Sequence, residues 1–393
     1  GNQIADINEG YSFDIEEIIT YDEELQRLYY SIHKPGPSDL NIEYYSMSNQ
    51  EITEINDGSS AYVAASFSPS KKYFAMYKYG QNIPETKMIS AYSYPLPLCY
   101  LERNEEFSQS INDKAMPTRK YFSIPSSDDS DDLNAVMYLP PGFNEESDKK
   151  YPSLFYVYGG PDSQTVNNMY ELGFWYYHSY LASTMGIIVV SVDNRGTCCK
   201  GQEFLKQTYL NLGSTEVEDQ LSSMHYVSEF SYIDEDKMGI WGWSYGAYMS
   251  SRVVSANDPI VKAAISVSPV TDWSFYDNIY TERYMQTPSL NEFGYSESSV
   301  LNRASNIPIT SSYLLIHGTA DDNVHFQNSA DWVTALIQEG VNFQTMYFPD
   351  KAHSLTGTET RIHLWKLITR FLAKSFSLPE PEMELTDDSK INR

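Results

Sequence analysis

The pentapeptide Gly242-Trp243-Ser244-Tyr245-Gly246 fits the pattern G-x-S-x-G, and its surroundings restrict what it can build. It follows the apolar run Met238-Gly239-Ile240-Trp241 and opens a helix-like stretch from Ala247 to Val254. A strand, a turn too sharp for flanking side chains and a helix together predict a nucleophile elbow, with the Ser244 hydroxyl exposed above a sheet. The backbone that follows the serine then lies at the positive end of the helix. A glycine-flanked structural turn would satisfy the pentapeptide alone, so the downstream chain has to decide.

In α/β-hydrolases an acid and then a histidine follow the serine, each on a loop behind a later strand. Ser312-Tyr313-Leu314-Leu315-Ile316 reads as a buried strand, and the loop behind it runs from His317 through Asp321, Asp322, Asn323 and Val324. Phe343 to Phe348 alternates like another strand; Asp350-Lys351-Ala352-His353 follows, then a long amphipathic helix from near Thr358. A serine hydroxyl is a weak nucleophile until a neutral imidazole takes its proton. A buried carboxylate must in turn fix the imidazole tautomer and stabilise its charged form. Ser244, His353 and Asp321 are the expected holders of these roles, with Asp322 the alternative acid. Of the seven histidines, His33, His178 and His225 precede the serine, His317 and His325 flank the aspartate, and His363 falls inside the final helix. Each of these six reads as an ordinary core or surface histidine.

Three longer motifs carry a resemblance. Trp241 to Tyr248, Tyr276 to Met285 and Leu314 to Gln327 resemble the dipeptidyl peptidase IV branch of the prolyl oligopeptidase family, with likeness from about Met116 through Pro379. The resemblance implies an α/β fold, an α/β-hydrolase domain preceded by a partial β-propeller. It implies a serine exopeptidase that releases Xaa-Pro or Xaa-Ala dipeptides from peptide N-termini through an acyl-enzyme, with no metal and no organic cofactor. Within Leu154-Phe155-Tyr156-Val157-Tyr158-Gly159-Gly160-Pro161 it makes Tyr158 the side-chain donor to the oxyanion, and it makes Tyr245 the backbone donor. It sets Tyr245, Val270, Trp273, Tyr276, Tyr280 and Val324 around a proline ring and Asn323 on a substrate carbonyl. Those residue types suit a ring that is flat, apolar and without N–H. Periodicity alone reads Trp273 to Tyr284 as a helix with an aromatic core stripe, on which Tyr276 and Tyr280 share a face. A peptidase or esterase of the same fold without dipeptide specificity, and a catalytically silent interaction homologue, are the alternatives. Silent relatives usually lose the serine itself, which is present here.

The first part of the chain has another texture. Leu28 to Ile32, Ile42 to Met47, Tyr62 to Phe67 and Tyr73 to Tyr77 are short strands, separated by turn-rich segments such as Lys34-Pro35-Gly36-Pro37 and Ser68-Pro69-Ser70. Four strands make a propeller blade, so residues 1–107 are expected to form about two blades, residues 108–379 the catalytic domain, and residues 380–393 an acidic disordered tail. Two blades cannot close a ring, which predicts the C-terminal part of a longer protein. A naturally short protein that covers its edges by oligomerising is the alternative. The family binds the substrate amine with a propeller glutamate pair; Glu16-Glu17 and Glu23-Glu24 sit in late-blade context, and neither is assigned that role.

A net charge of −26 argues against nucleic acid as a partner, because phosphate binding needs clustered Lys and Arg. No apolar run approaches the ~20 residues that span a bilayer. An extracellular or membrane-anchored ectodomain, an anchor outside this chain and a homodimer are expectations of the resemblance alone. Cys99, Cys198 and Cys199 are too few for a disulfide framework. Extracellular relatives commonly cross-link the positions that match Ala263 and Ser375 here. Cys198 and Cys199 read as two free thiols. No histidine or carboxylate cluster adjoins them in sequence, so no metal site is expected.

Overall fold

The computed structural model describes residues 14–55, 62–80, 82–94, 96–170 and 174–380. The chain divides into two compact units, one of residues 1–116, 161–176 and 196–207, the other of residues 117–160, 177–195 and 208–393. The predicted tail from residue 381 onward lies outside the described residues.

In the first unit, β1 (Ile15–Asp22), β2 (Arg27–Ile32), β3 (Asn41–Ser46) and β4 (Glu51–Glu54) form one antiparallel meander. A second is formed by β5 (Val63–Phe67), β6 (Tyr73–Lys78), β7 (Glu85–Ser90) and β8 (Pro97–Glu102). These are two four-stranded sheets of the propeller-blade kind. The strands legible in the sequence are β2 and β3 of one sheet and β5 and β6 of the other. The outer strands β4 and β8 are almost wholly exposed and so carry no apolar alternation. Successive strand side chains face opposite ways. Tyr29 accordingly packs with Ile42, Val63, Phe74 and Ile89, while its neighbour Tyr30 packs with Ile32 and Tyr45. The buried Glu43 carboxylate is compensated by Lys34 Nζ at 2.7 Å and the Tyr30 hydroxyl at 2.9 Å.

One expectation fails in this unit. Cys198 and Cys199 are not free thiols but joined by a disulfide, with an S–S distance of 1.99 Å. Cys199 adopts φ 73°, between Gly196 at φ 90° and Gly201 at φ 84°, and this left-handed turn folds the two adjacent side chains together. An extended dipeptide would have pointed them apart.

The second unit is built on one eight-stranded sheet. Its strands are β9 (Thr118–Pro125), β10 (Asp132–Leu139), β11 (Tyr151–Val157), β12 (Ile188–Asp193), β13 (Ile233–Trp243), β14 (Ala263–Val267), β15 (Ser312–Gly318) and β16 (Gln344–Phe348). They lie in the order β9-β10-β12-β11-β13-β14-β15-β16. β10 pairs antiparallel with β9 and β12, and every pairing from β12 to β16 is parallel. This is the α/β-hydrolase arrangement. Every residue of β12 and β14 is buried, as expected of strands covered on both faces. The helix Tyr245–Val254 is buried along its whole length. The final helix, Thr358–Ser375, turns Leu364, Ile368, Phe371 and Leu372 inward, each contributing about 1.5–3 kcal/mol of burial. No helix of the described residues is long and apolar enough to cross a membrane. The loops at the carboxyl ends of β11, β13, β15 and β16 carry Tyr158, Ser244, Asp321 and His353, at the end of a parallel sheet where ligands bind.

Candidate active site

Ser244 stands between β13 and the helix Tyr245–Val254 at φ 59°, ψ −119°, a backbone conformation costly for any residue with a Cβ. Its N–H donates to the Val267 carbonyl of β14 at 2.9 Å, and the helix Tyr245–Val254 holds it from the other side. The flanking glycines are steric necessities. A Cβ on Gly242 would lie 2.6 Å from the Val157 carbonyl oxygen, and one on Gly246 would strike the same oxygen.

The two downstream loops are tied to this turn and to each other. Ala320 N–H donates to Lys351 O at 3.1 Å, and Thr319 N–H to Phe348 O at 2.9 Å. A Cβ on Gly318 would collide with the Lys351 carbonyl, so only glycine permits this approach. Trp243, the residue before the serine, donates its indole N–H to the His353 carbonyl at 3.1 Å.

His353 Nδ1 lies 2.8 Å from Asp321 Oδ2. Asp321 Oδ1 accepts the backbone N–H groups of Asn323 and Val324 at 3.0 and 2.9 Å. Burial of Asp321 raises its pKa, but hydrogen bonds from His317 and His353 outweigh that and hold the carboxyl well below the usual range. An ionised acceptor facing Nδ1 fixes the ring proton there and leaves His353 Nε2 its lone pair. Asp322 is exposed, whereas Asp321 is buried. The Ser244 hydroxyl bonds to no described residue, and such contacts in ligand-free sites tighten when substrate arrives.

Tyr158 sits at the end of β11, its ring 6.1 Å from that of Tyr245. Burial, followed by the neighbouring Tyr284, pushes its hydroxyl pKa up, so it stays protonated and able to donate. A Cβ on Gly160 would come within 3.1 Å of both rings, so glycine there lets them close together. Tyr245 opens the helix after the serine, where first-turn N–H groups have no intrahelical partner.

The remaining expected residues form an aromatic wall. Trp273 stacks on Tyr280 at 5.9 Å and 20°, and Tyr276 meets the pair edge-on at 5.9 and 5.5 Å. Tyr245 lies 5.4 Å from Trp273 and 6.5 Å from Tyr280. Val270 and Val324 are fully buried. The Tyr276 hydroxyl donates to Asn323 Oδ1 at 3.0 Å. One detail differs from the sequence reading. Tyr276 and Tyr280 do not share a helix, because Trp273–Phe275 is a single 3₁₀ turn and the helix spans Asn278–Met285. Asp272 caps the turn and Asp277 caps the helix through Tyr280 N–H at 2.9 Å; these caps leave Tyr276 extended between them.

Two residues were missed. His317 is buried with Nδ1 2.6 Å from Ser329 Oγ, and its Nε2 lies between the Val324 carbonyl at 2.8 Å and Asp321 Oδ2 at 3.2 Å, behind the carboxylate. Glu216 is buried beneath the aromatic wall, where it accepts the Tyr245 hydroxyl at 2.8 Å and Gly213 N–H at 3.0 Å. Burial pushes its carboxyl up to about 7, against the opposing hydrogen bonds and Arg252. In the sequence, Glu216 looks like any acidic residue in a first helical turn.

Residues 174–378 match the model of the prolyl oligopeptidase family, more than half of the chain. The chain belongs to the prolyl oligopeptidase family. Dipeptidyl peptidase 4 of Sus scrofa is 38% identical to it over 366 residues, covering 90% of this chain and 46% of that protein. Prolyl endopeptidase FAP of Homo sapiens is 40% identical over 344 residues, covering 87% and 44%. The crystal structure of Porphyromonas gingivalis dipeptidyl peptidase 4 superposes with a TM-score of 0.86 at 30% identity, covering 92% of this chain and 50% of that one. These relatives set the family member described here in the dipeptidyl peptidase IV branch. The chain spans about half the length of the relatives it matches.

Proposed function

We propose that the chain carries the catalytic machinery of a serine-type dipeptidyl peptidase acting on peptides with proline or alanine at the second position. The observation that carries the reading is the strained Ser244 elbow beside a His353 whose Nδ1 is 2.8 Å from an ionised Asp321. His353 Nε2 takes the hydroxyl proton as Ser244 Oγ attacks the scissile carbonyl carbon. The tetrahedral oxyanion receives the Tyr245 N–H and the Tyr158 O–H. His353 then protonates the leaving amine, and water, deprotonated by the same imidazole, hydrolyses the acyl-enzyme. Trp273, Tyr276, Tyr280, Tyr245, Val270 and Val324 enclose the proline ring, and Asn323 holds a substrate carbonyl. The assignment of residues 1–107 to blades and 108–379 to the catalytic domain belongs to the same reading. So do an extracellular or membrane-anchored location and a homodimer, which rest on kinship with the relatives above.

The test is a panel of chromogenic Xaa-Pro and Xaa-Ala anilides, their N-blocked counterparts and a simple aryl ester. Cleavage of Xaa-Pro and Xaa-Ala with rejection of the blocked compounds is expected. Equal cleavage of free and blocked substrates would replace the exopeptidase reading with a peptidase or esterase lacking dipeptide specificity.

A further inference from the structure

Outside the hydrolase sheet, the fold brings Glu16 of β1, His33 and Cys199 together, with one ligand atom of each within 4.8 Å of the others. The neighbours of the His33 ring point to a ligand. Nδ1 lies 3.0 Å from the Pro37 carbonyl oxygen, which only accepts, so this nitrogen carries a proton. Nε2 lies 3.2 Å from Glu16 Oε2, also an acceptor. A neutral ring would set a lone pair against a carboxylate, so a positive centre belongs between them: a second proton or a cation. A backbone carbonyl accepting the Nδ1 proton is the contact that orients metal-binding histidines, and it leaves Nε2 as the ligating nitrogen. Ligand atoms on a tetrahedral zinc ion with bonds near 2.0 Å stand roughly 3.3 Å apart, close to the His33–Glu16 separation. His33 is buried, Glu16 reaches solvent, and a cavity of about 280 Å³ opens beside them, lined by Asp14, Glu16, Asp162, Cys198 and Cys199.

The third donor is withheld. Cys199 is bonded to Cys198, and a disulfide sulfur is a poor ligand where a thiolate is a strong one. We propose that Glu16, His33 and Cys199 form a redox-gated site for a zinc-like divalent cation, closed by the Cys198–Cys199 disulfide and opened by its reduction. With a water-soluble phosphine as reductant, the S–S bond breaks and two S–H bonds form; the phosphine is oxidised to its oxide with the oxygen of one water, whose two protons go to Cys198 and Cys199 sulfur. Zinc then displaces the Cys199 thiol proton to solvent and binds sulfur, His33 Nε2 and Glu16 carboxylate. Mixed S, N and O donors with an open fourth position suit zinc better than calcium or magnesium.

Zinc and cobalt binding to the whole chain, by equilibrium dialysis and by the thiolate-to-cobalt charge-transfer band, tests this. The oxidised protein should bind no zinc at this site, and the phosphine-reduced protein, freed of phosphine, one equivalent. Cys198→Ser, which leaves Cys199 as a thiol, should bind one equivalent without reductant and show the band. Cys199→Ser should not. Glu16→Gln alters a solvent-facing side chain and should weaken zinc at least about 10-fold in the reduced protein while its circular dichroism is unchanged. Equal zinc binding by oxidised and reduced protein, no binding by folded Cys198→Ser, or unaltered affinity in Glu16→Gln would overturn the proposal.

Discussion

The two sides of the candidate active site are built on opposite physical terms. On one, Ser244, Asp321 and His353 stand on loops pinned by backbone hydrogen bonds, and both oxygens of the buried carboxylate are occupied. On the other, Tyr245, Trp273, Tyr276 and Tyr280 meet ring against ring, and their polar ties are two hydroxyls, on Glu216 and Asn323. The first side has fixed directions and fixed charge, which bond-making chemistry requires. The second has area and shape, which discriminate one substrate side chain from another by only a few kcal/mol. Damage to the two sides should therefore appear in different kinetic quantities.

The sharpest separation is expected from Asp321→Asn. It removes the carboxylate that fixes the His353 tautomer and should lower kcat by about 10⁴-fold with KM little changed. Asp322→Asn, one residue away and exposed, should leave kcat within about threefold; similar losses in both would dissolve the assignment. Next in size is Tyr158→Phe, for which kcat should fall by about 100-fold or more while substrate binding holds. Full activity in a folded Tyr158→Phe protein would move Tyr158 to the packing side of the comparison.

The aromatic side should respond more gently. Tyr280→Ala should cost about 1–3 kcal/mol of transition-state binding for an Xaa-Pro anilide and distinctly less for an aryl ester. Equal losses would mean that the rings are core, and the preference for proline would be withdrawn. The last effect is on stability rather than on turnover. Glu216 has its folded pKa raised from 4.5 to about 7. Between those values the folded chain holds a proton that the unfolded chain has released, so stability falls as pH rises from 4.5 to about 7 and levels above. The slope from this residue is at most about 1.4 kcal/mol per pH unit. Denaturant titrations across that range should show Glu216→Gln with a flatter profile than the parent.

The same division governs what the sequence revealed. The elbow was legible because close backbone approach leaves room only for glycine at Gly242 and Gly246, and such a demand is written in residue identity. Asp321 and His353 could be picked out because β15 is a buried apolar run and the stretch Phe343 to Phe348 alternates as a strand does, each with an obvious end before its loop. Residues whose importance arises from distant neighbours left no trace. Glu216 becomes unusual only when Tyr245 and the Gly213 backbone arrive over it, and His317 only when Asp321 and Ser329 do. The outer blade strands β4 and β8 were silent because exposure removes the alternation that marks a half-buried strand. The break between Tyr276 and Tyr280 was hidden because Asp277 can be a helix interior residue or a cap, and its side-chain bond to Tyr280 N–H decides which.

The central claim is that Ser244 is the nucleophile, and covalent labelling addresses it without reference to any substrate. A fluorophosphonate probe, followed by peptide mapping of the adduct, should place one phosphonyl group on Ser244 in the native chain and none on folded Ser244→Ala. Heat-denatured protein should also fail to react, since the reactivity comes from the folded elbow and its histidine. An adduct on another serine, or labelling that persists in Ser244→Ala, would contradict the account.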